Sequence, residues 1–378
     1  MKVTNGKPDK ISRRNFLSRL VAAGFGSSLI VSVRPSLASF TGPESYNVLV
    51  VGDSLMWGQG LREQDKAYSL VADWLRHGAF DSQRVVELKV KAHSGSTLRF
   101  HSDDAEKYRR IGRDENFYYK PELNIGPPSI WKQLETADAE YRSAASHGAD
   151  LILIAGSAPD VAVDKILDPS GDDTILRDDI ERYCHRDMVD VLRFAAEKNP
   201  AATVAVLGYY PMISSKTSSS RLLNADLELK SFPHLLKPLI NNPLFRSVYF
   251  KKLRRKAQRR SGIWAAESTK ALRAAVDELN KQLGENHAVF VPSPVNDDNT
   301  FETPNSLLFG FRGSHTDDPL YSERSAQCRE TLPRLKKEAD IVVPLRFCEN
   351  AAIGHPNPAG AKAYFEAIRT VIQPLISR

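Results

Sequence analysis

The sequence predicts an α/β protein built on a parallel sheet that helices cover on both faces. Largely apolar runs recur at 48–51, 85–90, 151–155, 203–207 and 287–291, and stretches with helical spacing separate them. A strand buried on both faces reads as a continuous apolar run rather than an alternation, and parallel strands need crossover helices between them. Turn-forming residues close several of the runs, as in Gly52-Asp53-Ser54, Gly156-Ser157 and Gly208-Tyr209-Tyr210-Pro211.

Taken in order, Val48 to Val51 is the first strand, Tyr68 to Trp74 opens a helix, and Val85 to Val90 and Leu151 to Ala155 are the second and third strands. Asp179 to Glu197 is the next helix and Thr203 to Leu207 the fourth strand; a long helix at Ser261 to Gln282 precedes a fifth strand at His287 to Val291. Active residues belong at the carboxyl ends of such strands, where loops converge. With 378 residues, four Trp, twelve Tyr and sixteen Phe, the chain has ample apolar bulk for a large core.

The first 38 residues stand apart. Lys2, Lys7, Lys10, Arg13, Arg14 and Arg19 precede or enter the apolar stretch Leu20 to Val33, which ends at the small-residue site Ser36-Leu37-Ala38. That is the layout of a secretory signal, too short and too weakly apolar for a membrane span. Ser12-Arg13-Arg14-Asn15-Phe16-Leu17 looks like a bacterial twin-arginine export signal. It implies the twin-arginine machinery as a partner of the precursor and a periplasmic or secreted, soluble mature chain. Residues 39–378 then form a single domain. Seven basic residues up to position 38, against Asp9 alone, hold the whole formal charge of +6. The mature chain is near neutral and has no surplus charge to recommend a nucleic-acid partner.

Long connections near 101–127, 212–245 and 294–347, rich in Pro, Asn, Asp, Ser and Gly, exceed the usual length of structureless links. They read as pocket walls, a lid or partly helical insertions. The run 251–260, seven basic residues in ten, reads as the solvated start of the long amphipathic helix, with contact to an anionic substrate, polymer or headgroup as the alternative. Cys184, Cys328 and Cys348 are odd in number and widely spaced. They imply neither a disulfide framework nor a thiolate metal site, although one pair can close after export.

Gly52-Asp53-Ser54-Leu55 follows the first strand directly, Ser94-Gly95-Ser96-Thr97 follows the second, and His355-Pro356-Asn357 precedes a helical C-terminus. Judged alone, Ser54 is more readily a helix cap than a nucleophile. In this order and between these elements, the blocks resemble those of the SGNH hydrolases, also called GDSL esterases and lipases, in pieces over residues 46–376. The resemblance implies a three-layer α/β/α sandwich. It implies Ser54 as nucleophile, the Ser54 and Gly95 amides as oxyanion donors, and His355 as general base. The chemistry it implies is acyl-ester hydrolysis with no cofactor and no metal, on an ester-bearing small molecule, lipid or acylated glycan.

Two blocks depart from the family pattern. Where the family has Gly-x-Asn-Asp after the third strand, this chain has Gly156-Ser157-Ala158-Pro159-Asp160, which puts Pro159 at the position of an oxyanion-binding asparagine. Proline has no amide side chain and no N–H. Where the family has Asp three residues before the histidine, this chain has Ala352, and Glu349 is the nearest upstream acid. Glu349 is either an orienter of His355 reaching back across a turn or an exposed loop glutamate. Asp53 and Asp160 read as structural. The alternative to an esterase is therefore a catalytically weak or inactive domain that uses the same cleft to bind a glycan or lipid. Other chemistry is weaker: there is no Gly-x-Ser-x-Gly elbow and no His-Glu-x-x-His. His315-Thr316-Asp317-Asp318 reads as a polar loop before a cation site, His93 as a cleft or cap residue, and Tyr209 and Tyr210 as cleft walls or core.

Overall fold

The structure is a computed structural model and describes residues 45–117, 123, 126–218, 251–284, 286–311 and 318–376. The leader at 1–38, most of 212–245 and His315 to Asp317 lie outside the described residues. Five strands, β1 (Ser45–Gly52), β2 (Val85–Val90), β3 (Leu151–Ala155), β4 (Thr203–Leu207) and β5 (Ala288–Val291), pair in parallel in the order β2-β1-β3-β4-β5. Val48 to Val51 and Leu151 to Ala155 are all buried, which is why both stretches read as unbroken apolar runs.

The helices are α1 (Ser54–Trp57), α2 (Ala67–Trp74), α3 (Ser102–Arg110), α4 (Ile130–Ser143), α5 (Ala158–Val161), α6 (Val163–Leu167), α7 (Asp173–Ile180), α8 (Asp187–Lys198), α9 (Lys251–Leu283), α10 (Tyr321–Ala339), α11 (Leu345–Glu349) and α12 (Pro358–Ile376). α4, α8 and α9 pack together on one side of the sheet, and α2 pairs with α12 on the other. The chain is thus an α/β protein with a parallel sheet between helices. The helix expected at 179–197 is longer, because α7 runs into α8 through a wide turn at 181–186. α3 falls in the 101–127 connection, and α10 and the start of α11 fall in 294–347, so both contain helix.

The basic run 251–260 is the first part of α9, and three of its arginines, Arg254, Arg259 and Arg260, have partners outside the helix, Arg259 on Asp173 at 2.6 Å. Arg260 is buried, with its guanidinium on Asp173 (2.9 Å) and the Lys165 carbonyl (2.7 Å). Arg254 binds the Thr217 carbonyl (2.6 Å). Cys328 and Cys348 form a disulfide that joins α10 to α11, while Cys184 is free and buried, its thiol pushed up to about 12 by burial. No helix among the described residues is long and apolar enough to cross a membrane.

The strand order places the site. The order in which successive strands are added reverses between the parallel neighbours β1 and β3, whose register runs from Val48 opposite Leu151 to Gly52 opposite Ala155. At such a switch point the loops after adjacent strands diverge and leave a crevice beyond their carboxyl ends. The segments opening on it are 53–58, 91–97 and 156–160.

Candidate active site

Gly52 ends β1 with φ of 145°, and a Cβ there would lie 2.3 Å from the Ala155 carbonyl oxygen. Only glycine lets the two strand ends come this close. The next amide, Asp53, donates to the same Ala155 oxygen at 3.0 Å. Asp53 then caps α1 by accepting from the Leu55 amide (2.9 Å), and Gly58 closes the turn in the left-handed region. Ser54 is consequently the first residue of a single helical turn mounted on the sheet edge.

His355 arrives from the other end of the chain. Its loop is tied to 306–309: the Phe309 amide donates to the His355 carbonyl (2.8 Å), the Gly354 amide to the Phe309 carbonyl (2.9 Å), and the Asn357 side chain to the carbonyls of Ser306 and Leu308. These bonds bring His355 Nε2 to 2.7 Å from Ser54 Oγ. The Nδ1 edge is enclosed and has no hydrogen-bond partner among the described residues. Burial pushes the imidazole down to about 4, against an opposing pull from the Ala352 carbonyl, and the charge of Arg324 lowers it further. For Nε2 to accept from Ser54 the ring must carry its proton on Nδ1, so the useful tautomer has a buried N–H that the Ala352 carbonyl attracts without a well-formed hydrogen bond. Such a group costs about 1–3 kcal/mol.

Glu349 does not relieve it. Its carboxylate accepts from Ser325 Oγ (2.8 Å) and Arg329 (3.0 Å) on α10, and its backbone carbonyl accepts from Arg324 Nε (3.1 Å). The orienting role expected for Glu349 is corrected on this geometry, and so is its alternative as an exposed loop residue, since it is buried. The reason is packing: α11 presents Glu349 to α10 rather than to the imidazole, and the disulfide clasps those two helices together.

Gly95, with φ of 79°, sits in a loop bound to the end of β1 by the Lys91 and Ala92 amides on the Val50 carbonyl and the His93 amide on the Gly52 carbonyl. Neither the Ser54 nor the Gly95 amide has an acceptor among the described residues. After β3, Ser157 takes a positive φ of 100° and Pro159 lies in the first turn of α5. Ser157 Oγ contacts Cys184 Sγ in the core (3.1 Å), so it supplies no donor where the sequence resemblance expects an asparagine. Asp160 is structural: its carboxylate accepts from the Leu98 amide (3.1 Å), and burial raises its pKa.

Several supporting groups were not assigned from sequence. Tyr209 and Tyr210 are buried, which resolves cleft wall against core in favour of core. The Tyr209 hydroxyl donates to Asp53, whose carboxyl burial raises to about 7, and the Tyr210 hydroxyl donates to the Gly354 carbonyl (2.9 Å). His93 is likewise buried, with Nδ1 on the Gly126 carbonyl (3.1 Å). Gln133 was missed altogether. A signal existed, because it shares the buried face of α4 with Ile130, Leu134, Ala137 and Tyr141, where a glutamine is out of place without polar partners. Among the described residues no group of three or more His, Cys, Asp or Glu is arranged to hold a metal ion.

No protein-family model matches the chain, and no curated sequence does. Among solved structures the chain is similar to a carbohydrate esterase family 2 enzyme with a carbohydrate-binding domain from Corynascus thermopiles (Myceliophthora fergusii), with TM-score 0.40 and 17% identity over 89% of this chain and 67% of that one. It is similar to an extracellular lipase from Streptomyces rimosus, with TM-score 0.41 and 12% identity over 86% and 99%. It is also similar to a phospholipase A1 from Streptomyces albidoflavus, with TM-score 0.40 and 10% identity over 86% and 99%.

Proposed function

We propose that the chain is an exported hydrolase of carboxylic acyl esters that works through an acyl-serine intermediate. The observation that carries this is the 2.7 Å contact between His355 Nε2 and Ser54 Oγ, made by residues 301 apart in sequence. His355 takes the Ser54 proton as Oγ attacks the acyl carbonyl. The amides of Ser54 and Gly95 receive the oxyanion, and His355 returns the proton to the departing alcohol. A water then gives its proton to His355 and attacks the acyl-serine, and His355 returns that proton to Ser54 Oγ as the acid leaves. Incubating the protein with a fluorophosphonate tests the nucleophile: intact mass should show one adduct on the wild type and none on Ser54→Ala. Labelling that survives Ser54→Ala rejects it.

The lowered pKa of His355 gives a pH signature. A general base works when neutral, so kcat/KM rises with pH through the pKa of the free enzyme. With that pKa depressed by burial, the acid limb should fall between about 4 and 6 rather than at the ordinary 6.5 of histidine, leaving activity flat across neutral pH. A limb centred at or above 6.5 rejects the enclosed imidazole as the base. The same depression makes His355 a weak proton acceptor. Together with Pro159 and the unpaired Nδ1, this favours slow turnover and supports the second reading, a cleft that binds an acylated glycan or lipid without hydrolysing it.

Export is supported by the leader and by the Cys328–Cys348 disulfide, since disulfides persist in oxidising compartments. N-terminal sequencing of the protein from periplasm or medium should start near Ser39. A product found only in cytoplasm with residues 1–38 intact rejects the localisation.

A further inference from the structure

We propose that Gln133 is a positioning residue that sets the spacing between the two oxyanion donors. The inference rests on the Ser54–His355 reading. Gln133 is buried in α4, and each atom of its side-chain amide is bonded. Oε1 accepts from the Gly52 amide at 2.7 Å. Nε2 faces three acceptors: Ser96 Oγ at 2.9 Å, the Gly52 carbonyl at 3.1 Å and the Pro128 carbonyl at 3.1 Å. The set also fixes the orientation of the amide, since only an oxygen can meet the Gly52 N–H and only a nitrogen can meet three acceptors.

What Gln133 joins gives it its role. Gly52 is two residues before Ser54, and Ser96 is one residue after Gly95. The intervening Asp53 has no slack, because its amide is held by Ala155 and its carboxylate by Leu55 and Tyr209. On the other side, Ser96 Oγ donates to the Pro128 carbonyl (2.7 Å), and the Ile130 and Trp131 amides of α4 donate to the Thr97 and Leu98 carbonyls (2.9 and 3.1 Å). The nucleophile turn and the Gly95 loop are therefore braced through one side chain. Preorganised donors are effective when they already converge on the place where charge develops. With no asparagine at Pro159, the spacing of the two remaining amides matters more in this chain.

Gln133→Glu keeps the size and the acceptor for the Gly52 amide but sets a second oxygen against the Gly52 and Pro128 carbonyls, whereas Gln133→Met removes every polar contact of the side chain at similar volume. With p-nitrophenyl acetate as probe, both should lower kcat about 10- to 100-fold, as a misplacement below 1 Å does, with KM within about twofold. Affinity for a simple alkyl boronic acid, whose tetrahedral Ser54 adduct loads the oxyanion donors, should fall in parallel with kcat/KM. A merely structural role predicts lower thermal stability with wild-type kcat and boronate affinity, and that result overturns the proposal. Should neither Gln133 variant fold, Ser96→Ala removes one bonded partner. It should lower kcat about 3- to 10-fold with a parallel loss of boronate affinity, and wild-type values there overturn the proposal equally. Failure of the underlying reading is distinguishable, because it shows in the wild type as no turnover and no fluorophosphonate adduct on Ser54.

Discussion

Ser54→Ala and His355→Ala should each lower kcat for p-nitrophenyl acetate by about 10²- to 10⁴-fold, and the double variant should be no slower than the worse single one. The size follows from what the site has and lacks. Removing the nucleophile from a complete serine triad costs about 10⁶ in kcat, and removing only the carboxylate costs about 10⁴. Here no carboxylate meets Nδ1, so most of that second factor is already absent from the wild type. The remaining advantage of the pair is smaller, and either deletion removes it. Non-additivity follows because Ser54 is not deprotonated without His355, and His355 has nothing to deprotonate without Ser54. Two losses that multiply would mean that the residues act independently. A loss below about tenfold in both would reject the pair as the source of the turnover, whereas glycan or lipid binding by a wild type with no turnover would favour the binding cleft.

Much of the sheet was legible because parallel strands buried on both faces leave continuous apolar runs. β2, β3 and β4 fall at the expected boundaries, while β1 begins at Ser45 and β5 at Ala288. The meeting of Ser54 with His355 was legible because each follows a recognisable element and the order of blocks constrained the pairing. Glu349 was misread for the opposite reason. Its orientation depends on how α11 packs on α10, and no local pattern in 321–349 encodes that packing. Three cysteines allow three pairings, so the Cys328–Cys348 bond was not selectable from spacing. Gln133 was overlooked although a glutamine on the apolar face of α4 marked it, because its partners are largely backbone atoms, and Tyr209 was left between cleft wall and core because its partner is a carboxylate 156 residues away.

Gly52→Ala should damage stability and labelling together. A Cβ at this position would sit 2.3 Å from the Ala155 carbonyl oxygen and 2.9 Å from Met56 Cβ, and φ of 145° is strained for any L side chain. Strain of this kind costs about 1–3 kcal/mol, and overpacking a dense core costs about as much again. The chain can relieve the contact only by moving the end of β1 away from β3. That motion breaks the Asp53 bond to Ala155, pulls Gly52 off Gln133, and carries Ser54 out of line with His355 and Gly95. The fluorophosphonate labelling rate should then fall about 100-fold, the loss expected for a misplacement near 1 Å, while the denaturation midpoint drops. Gly262→Ala provides the matched control, because Gly262 lies inside α9 with open space around its Cβ position. There the same methyl should stabilise the protein by about 0.4–1 kcal/mol and leave labelling unchanged. If Gly52→Ala instead folds with wild-type stability and labels at the wild-type rate, the close approach of β1 to β3 does not set the position of the nucleophile.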